Sequence, residues 1–296
     1  MVGSALVRQL EAAGFGNLLK PDRAQLNLAD ERAVASFCAR EKPEIVILAA
    51  AKVGGIKANN DFPVEFLLEN LRIQNSVIQA AHEGSARKLL FLGSSCVYPK
   101  HATQPMPESA LLSGPLEPTN DAYAIAKIAG VKLCQAYARQ YGANFISVMP
   151  ANLYGPNDDF DLESSHVLAA LVRKAHEAKM NRARELVVWG SGKPRREFLH
   201  VDDCAAACLF LLEKYDSPEI INVGCGEDIS IRELAELICD IVGYDGELAW
   251  DPTKPDGTPQ KLLDVTKLNN LGWRPAIPLR EGIARTYEWF LKNNPS

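Results

Sequence analysis

Three short apolar runs punctuate the first half of this chain. EIVILAA (44–50), KLLFLGSS (88–95) and NFISVMPANLYG (144–155) are nearly continuous in aliphatic and aromatic residues, the pattern of parallel strands covered on both faces. Between them, PVEFLLENLRIQNSVIQAAHEG and PTNDAYAIAKIAGVKLCQAYARQYG repeat their apolar residues at helical spacing. Asn120 is placed to cap the second of these helices and Gly142 to stop it. Strand alternating with helix predicts an α/β fold built on a doubly wound parallel sheet.

Beyond about residue 160 the rhythm loosens. A helix over SSHVLAALVRKAHEAKM, a strand pair around ELVVWGSGKPRREFLHV, a helix from Asp202 and a strand at IINVG come before SIREL, where Ser230 and Glu233 form a capping box. Two regions are expected: a dinucleotide-binding one over 1–162 and a smaller α+β one for substrate over 163–296, with the helix after Asp202 packing back on the first. No flexible linker separates them, so they should share an interface.

The opening stretch VGSALVRQLEAAGFGNLL reads as the helix that follows the glycine-rich turn of a dinucleotide-binding unit, with Val2, Ala5, Leu6 and Leu10 on its apolar face. Gly3 then stands as the last glycine of that turn, where helix and strand press together. The preceding strand and earlier glycines are absent from the sequence, and the expectation is a sequence that starts inside the motif.

With 296 residues, 47% of them hydrophobic, the chain can bury a large core. A net charge of −5 and the lack of a basic run turn the reading away from nucleic acid. No apolar run approaches the roughly 18 residues of a membrane span, and no signal-peptide pattern opens the sequence. No membrane partner is expected, and the cytoplasm is the expected location. Seven cysteines, odd in number and without a Cys-x-x-Cys pair, suggest neither a disulfide framework nor a metal site.

Tyr123 and Lys127 lie four apart on a predicted helix and so share one face, which Gly130, Cys134 and Tyr137 continue toward the sheet. A nearby ammonium favours the phenolate and so should lower the tyrosine, giving a proton donor or acceptor usable near neutral pH. Ser94 closes the strand before that helix, at the carboxyl end where open α/β sheets bind ligands. Its hydroxyl can bond a carbonyl oxygen that gains charge.

Through LAAA (48–51), SSCVYP (94–99), YAIAK (123–127), PANLYGP (150–156), REFLHVDD (196–203) and LGWRP (271–275), the sequence resembles the extended short-chain dehydrogenase/reductase family. AAAKVGGI (49–56), EPTNDAYAIAKIAG (117–130), VVWGSGKPRREFLHVDD (187–203) and KPDGTPQKLLDV (254–265) are similar to the branch acting on GDP-4-keto-6-deoxy-D-mannose. The resemblance runs from residue 1 to the C-terminus. It implies a Rossmann-type sheet lacking its first strand, NADP as cofactor, that GDP-sugar as substrate, and a homodimer.

Dehydratases of the family carry Asp-Glu directly after the catalytic Thr or Ser, whereas this chain has Ser95 and Cys96, which disfavours dehydration. The resemblance makes Cys96 the base of an epimerisation and His166 the partner acid on the opposite side of the sugar. Carbons C3 and C5 flank the C4 ketone, so their protons are acidified, and a thiolate and an imidazole can move them near neutral pH. Ser94 and Tyr123 would steady the enolate oxygen. Tyr123 would then protonate the C4 oxygen as hydride arrives, with Lys127 holding the nicotinamide ribose.

For the cofactor the resemblance further implies Gly3, Leu92 to Ser95, and Pro150 to Leu153 with Asn152. His166 joins them, as does Arg23 near the ribose phosphate, where a cation selects NADP over NAD. Asp22, beside Arg23, weakens that selection. For the GDP-sugar it implies Lys174, Trp189, Arg196 and Asp256, with Arg196 able to fork onto a diphosphate. Read alone, Trp189 also suits a strand core and Arg23 a solvated surface charge. Two other readings stay open at this stage: an extended-family epimerase or reductase for a different nucleotide sugar, and a non-catalytic form of the chain.

Overall fold

The computed structural model describes residues 1–254 and 256–294. Helices α1 (Val2–Ala12) and α2 (Glu31–Glu41) precede β1 (Ile45–Leu48). Helices α3 (Ile56–Asp61) and α4 (Pro63–Glu83) lead to β2 (Lys88–Leu92), and α5 (Asp121–Tyr141) leads to β3 (Phe145–Pro150) and β4 (Asn152–Tyr154). Next come α6 (Val167–Met180), β5 (Glu185–Trp189), β6 (Arg195–Arg196), β7 (Phe198–His200) and α7 (Val201–Lys214). The rest comprises β8 (Ile221–Val223), β9 (Ile229–Ser230), α8 (Ile231–Val242), β10 (Glu247–Asp251), β11 (Gln260–Lys261), α9 (Thr266–Asn270) and α10 (Leu279–Asn293).

The main sheet runs β1-β2-β3-β8 with every neighbour parallel. Strands β2 and β3 are buried along their whole length, which is why their sequences are apolar at consecutive positions rather than alternate ones, apart from Lys88 and Ser147. Helix α5 can lie close on the sheet because of Gly130, where a Cβ would fall 2.4 Å from the Phe91 ring. Its stop is as expected: Gly142 adopts a left-handed conformation with φ of 69°. The predicted capping box at Ser230 and Glu233 opens α8.

Gly3 lies in the first turn of α1, exposed, with nothing within 4 Å of where a Cβ would stand. The buried residues of α1 are Ala5 and Leu6, and the helix packs against α7.

A second core gathers α6, α8 and α10 with Phe160, Leu186, Val188 and Phe198. The run 144–155 divides here: β3 belongs to the main sheet, while β4 pairs with β7. The strand pair expected around 185–201 is instead three strands with different partners. Strand β5 pairs with β10, and β6 lies between β9 and β11. Gly190 and Gly192, with φ of 81° and 76°, turn the chain between β5 and β6, so these cannot continue into one another. Helix α7, strand β8 and α9 return to the first core, which also takes in Leu263, Val265 and Trp273. The strand at IINVG, read as part of the second region, is thus the fourth strand of the main sheet. Among the described residues no helix is long and apolar enough to cross a membrane.

Candidate active site

Past Leu92 the chain crosses close over β3: a Cβ at Gly93 would fall 2.2 Å from the Met149 methyl. Ser94 then caps a tight turn over Ser95–Val97, its Oγ accepting from the Cys96 N–H at 3.2 Å. Tyr123 and Lys127 lie one turn apart on α5. Lys127 is 4% exposed and donates to the Leu92 carbonyl at 2.8 Å. Burial pulls its ammonium down to about 8.

The Tyr123 phenol moves upward. Burial is the main cause, the charge of Cys96 adds to it, and a hydrogen bond with Ser94 opposes it. The expectation that the neighbouring ammonium lowers this phenol is corrected by the geometry. Lys127 Nζ is 5.9 Å from the ring centre, bonded to Leu92, and desolvation outweighs it.

Cys96 Sγ accepts two hydrogen bonds, from Asn120 Nδ2 at 3.4 Å and from Lys261 Nζ at 3.5 Å. Asn120 holds the N-cap position of α5, as the sequence predicts, yet its side chain makes no capping bond. It turns to the sulfur instead, and its Oδ1 is buried without a partner. The same Lys261 charge bears on His166, at the N-cap position of α6. That imidazole is held below its ordinary value mainly by burial, with Asp159 opposing the fall and Lys261 adding to it. Lys261 Nζ thus bonds the Cys96 sulfur, while its charge also acts on the His166 imidazole.

The loop delivering His166 is held by the glycines of KVGGI. Gly55 N–H donates to the Ser164 carbonyl at 2.7 Å, and a Cβ at Gly55 would lie 2.6 Å from the Ser165 carbonyl oxygen. Lys261 is held from the other region. Its neighbours Leu262 and Leu263 donate their backbone N–H groups to Gln104 Oε1 and to buried Glu197 Oε2, both at 2.9 Å. A crevice beside it, too narrow to hold a water molecule, is lined by Ser95, Ala151, Asn152, Glu197 and Lys261.

Arg196 on β6 is lowered by burial, with Cys96, Asp256 and Glu117 opposing, so it shares the field of Cys96. Lys174 Nζ lies 4.9 Å from the centre of the Trp189 ring, and Lys254 Nζ approaches the same ring at 5.2 Å. Trp189 is 44% exposed, which removes the core reading. Both Asp256 oxygens are engaged by Ser191, through its N–H at 2.7 Å and its hydroxyl at 2.8 Å, so this carboxylate shapes the turn after Trp189. Sequence reasoning passed over Lys261, Glu117 and the contact of Asn120 with sulfur.

The donors suit a dinucleotide ribose. Among the described residues Lys127 has a single acceptor, which leaves N–H capacity unspent beside Tyr123. Pro150 ends β3 and Leu153 lies in β4, with Asn152 Nδ2 fixed to the Glu197 carbonyl at 2.8 Å. Arg23 is exposed and, among the described residues, without an ion pair. The Asp22 carboxylate beside it is bound by the Ala24 and Gln25 N–H groups at 2.9 and 2.8 Å, so the neighbouring acid is spent on the turn.

Residues 1–224 match the family described as NAD dependent epimerase/dehydratase. The chain belongs to that family. Among its relatives, GDP-L-fucose synthase 1 of Arabidopsis thaliana is 60% identical, the match covering 99% of this chain and 91% of the relative. GDP-L-fucose synthase of Escherichia coli K12 is 56% identical, over 99% and 94%. A GDP-L-fucose synthetase from Naegleria fowleri, solved bound to NADP, superposes with a TM-score of 0.91 at 31% identity, over 99% and 91%. Membership of the NAD dependent epimerase/dehydratase family accounts for the parallel sheet.

Proposed function

We propose that this chain converts GDP-4-keto-6-deoxy-D-mannose to GDP-L-fucose by epimerisation at C3 and C5 followed by NADPH-dependent reduction at C4. The observation that carries the reading is the Cys96 sulfur bonded by Lys261 and Asn120 on the turn that Ser94 caps, with Lys261 also acting on His166 through its charge. The relatives named above support the product, since their names give GDP-L-fucose as what they make.

In the first stage the Cys96 thiolate takes a proton from a carbon next to the ketone. The C–H bond breaks, an S–H bond forms, and the electron pair moves to the ketone oxygen, where Ser94 and Tyr123 donate hydrogen bonds. His166 returns a proton to the opposite face. Once both centres are inverted, Tyr123 protonates the C4 oxygen. Its raised phenol keeps that proton at neutral pH until the oxygen gains charge. Bound NADPH supplies the hydride.

Lys127 would hold the nicotinamide ribose, with Leu92 to Ser95 and Pro150 to Leu153 lining its approach and Arg23 addressing the 2′-phosphate. Arg196 and Lys174 would meet the diphosphate, and Asp256 keeps the turn after Trp189 in shape. A homodimer and a cytoplasmic location belong to the same reading. Exposed Val64 and Leu68 on α4, with Ile125 and Tyr141 on the adjacent α5, supply apolar surface for the dimer.

Running the reaction in deuterium oxide and reading the product by NMR tests this. The wild type should place deuterium at C3 and C5, and Cys96→Ser should lose that label while C4 reduction persists. Label retained at both carbons in Cys96→Ser would refute the role of the thiol.

A further inference from the structure

We propose that Asn120 and Lys261 are the positioning residues of Cys96, holding its sulfur between an amide donor and an ammonium while a proton passes between it and the sugar. The inference rests on the reading of Cys96 as the proton carrier.

An asparagine at an N-cap ordinarily accepts from its own helix. Asn120 forgoes that bond, donates to Sγ at 3.4 Å, and leaves its Oδ1 buried and unpartnered. The fold tolerates a lost cap and an orphaned oxygen to place one N–H on one sulfur. Lys261 approaches the same sulfur at 3.5 Å from a separate part of the chain. The next two backbone N–H groups, of Leu262 and Leu263, are pinned by Gln104 and Glu197, which fixes the strand from which the side chain reaches. Before transfer the charge lies on sulfur, facing both donors. As the C–H bond breaks and the S–H bond forms, that charge leaves for the enolate oxygen, and the donors keep the sulfur aimed for the return.

Alkylation of Cys96 by iodoacetamide at pH 7, followed by peptide mass spectrometry on the full chain, reads the sulfur directly. Of the other cysteines only Cys225 is not buried, so the Cys96 signal is clean. Lys261→Met and Asn120→Ala should each slow alkylation about tenfold, the scale on which an adjacent opposite charge favours an ionised group. Lys261→Arg should restore most of the rate. Deuterium incorporation at C3 and C5 should fall by a similar factor, in kcat rather than KM.

Wild-type alkylation rates in both variants overturn the proposal. So does a Lys261→Met protein whose only change is a higher KM for the GDP-sugar, which would put the ammonium on the substrate. If Asn120→Ala fails to fold, the Met and Arg variants at Lys261 decide alone. Cys96→Ser separates the layers: retained deuterium label removes the underlying reading, whereas lost label together with unchanged alkylation in the Lys261 and Asn120 variants removes the positioning role only.

Discussion

Tyr123 and Lys127 ride on a 21-residue helix pressed against strands that are buried from end to end, whereas His166, Arg196 and Lys261 sit at a helix cap and on two-residue strands. The first group is held by packing. The second is held by backbone groups bonded one at a time to Gln104, Glu197, Ser164 and their like. Reduction needs a fixed phenol and amine at one face of a cofactor, and a close-packed core provides that. Proton transfer on two faces of a sugar needs groups arriving from opposite sides, and Cys96 comes from the turn after β2 whereas His166 comes from the loop before α6.

If this contrast is right, one glycine in each region should fail differently. Gly130→Val drives a side chain into the buried Phe91 ring and should cost about 3 kcal/mol in denaturant unfolding. A loss near zero would mean that α5 is free to retreat from the sheet, and the packing account would fall.

The next largest effect concerns the amine. The Lys127 ammonium falls from 10.5 to about 8 on burial, so the unfolded chain binds that proton more tightly. The cost is full below pH 8 and fades as the pH climbs from 8 toward 10.5. A fall of that size is worth about 3 kcal/mol, and the bond lost by the Leu92 carbonyl takes back about 1, leaving on the order of 2 kcal/mol. Lys127→Met should therefore be more stable than the parent at pH 7, with the gap closing toward pH 10.5, and should lose reduction. A variant less stable at pH 7 would show that partners, not tolerance, keep the ammonium in place.

Gly55→Ala is the smallest of the three and the sharpest. Its added methyl presses on the Ser165 carbonyl and displaces the His166 loop, so deuterium exchange should fall about tenfold. Unfolding should cost about 1 kcal/mol, less than in Gly130→Val because the backbone that must give way belongs to a loop. Equal stability loss in Gly55→Ala and Gly130→Val would erase the distinction between the regions.

Much of the first region is legible in the sequence, because a strand covered on both faces is mostly apolar and a helix on it repeats every third or fourth residue. That alternation puts Ser94 at a strand end and Tyr123 and Lys127 on one helix face, while their roles come from the family resemblance. The second region hides more. Strands β6, β9 and β11 have two residues each and no period to read, and their partners are distant in sequence. Lys261 lies in a recognisable stretch, KPDGTPQKLLDV, yet nothing local tells that it reaches a sulfur 165 residues earlier. Asn120 shows the limit most clearly. Local rules place it correctly at the start of α5, but which acceptor or donor its amide chooses is settled by what the fold brings opposite.

After building part of the second core the chain re-enters the sheet at α7 and β8, leaves again for α8, comes back with Leu263 and Leu268, and ends in α10 on the far side. A thread stitched to and fro in this way offers no single seam to unpick. The two cores should therefore melt together in one calorimetric transition, and a chain cut anywhere between residues 214 and 279 would leave both halves of the cloth frayed.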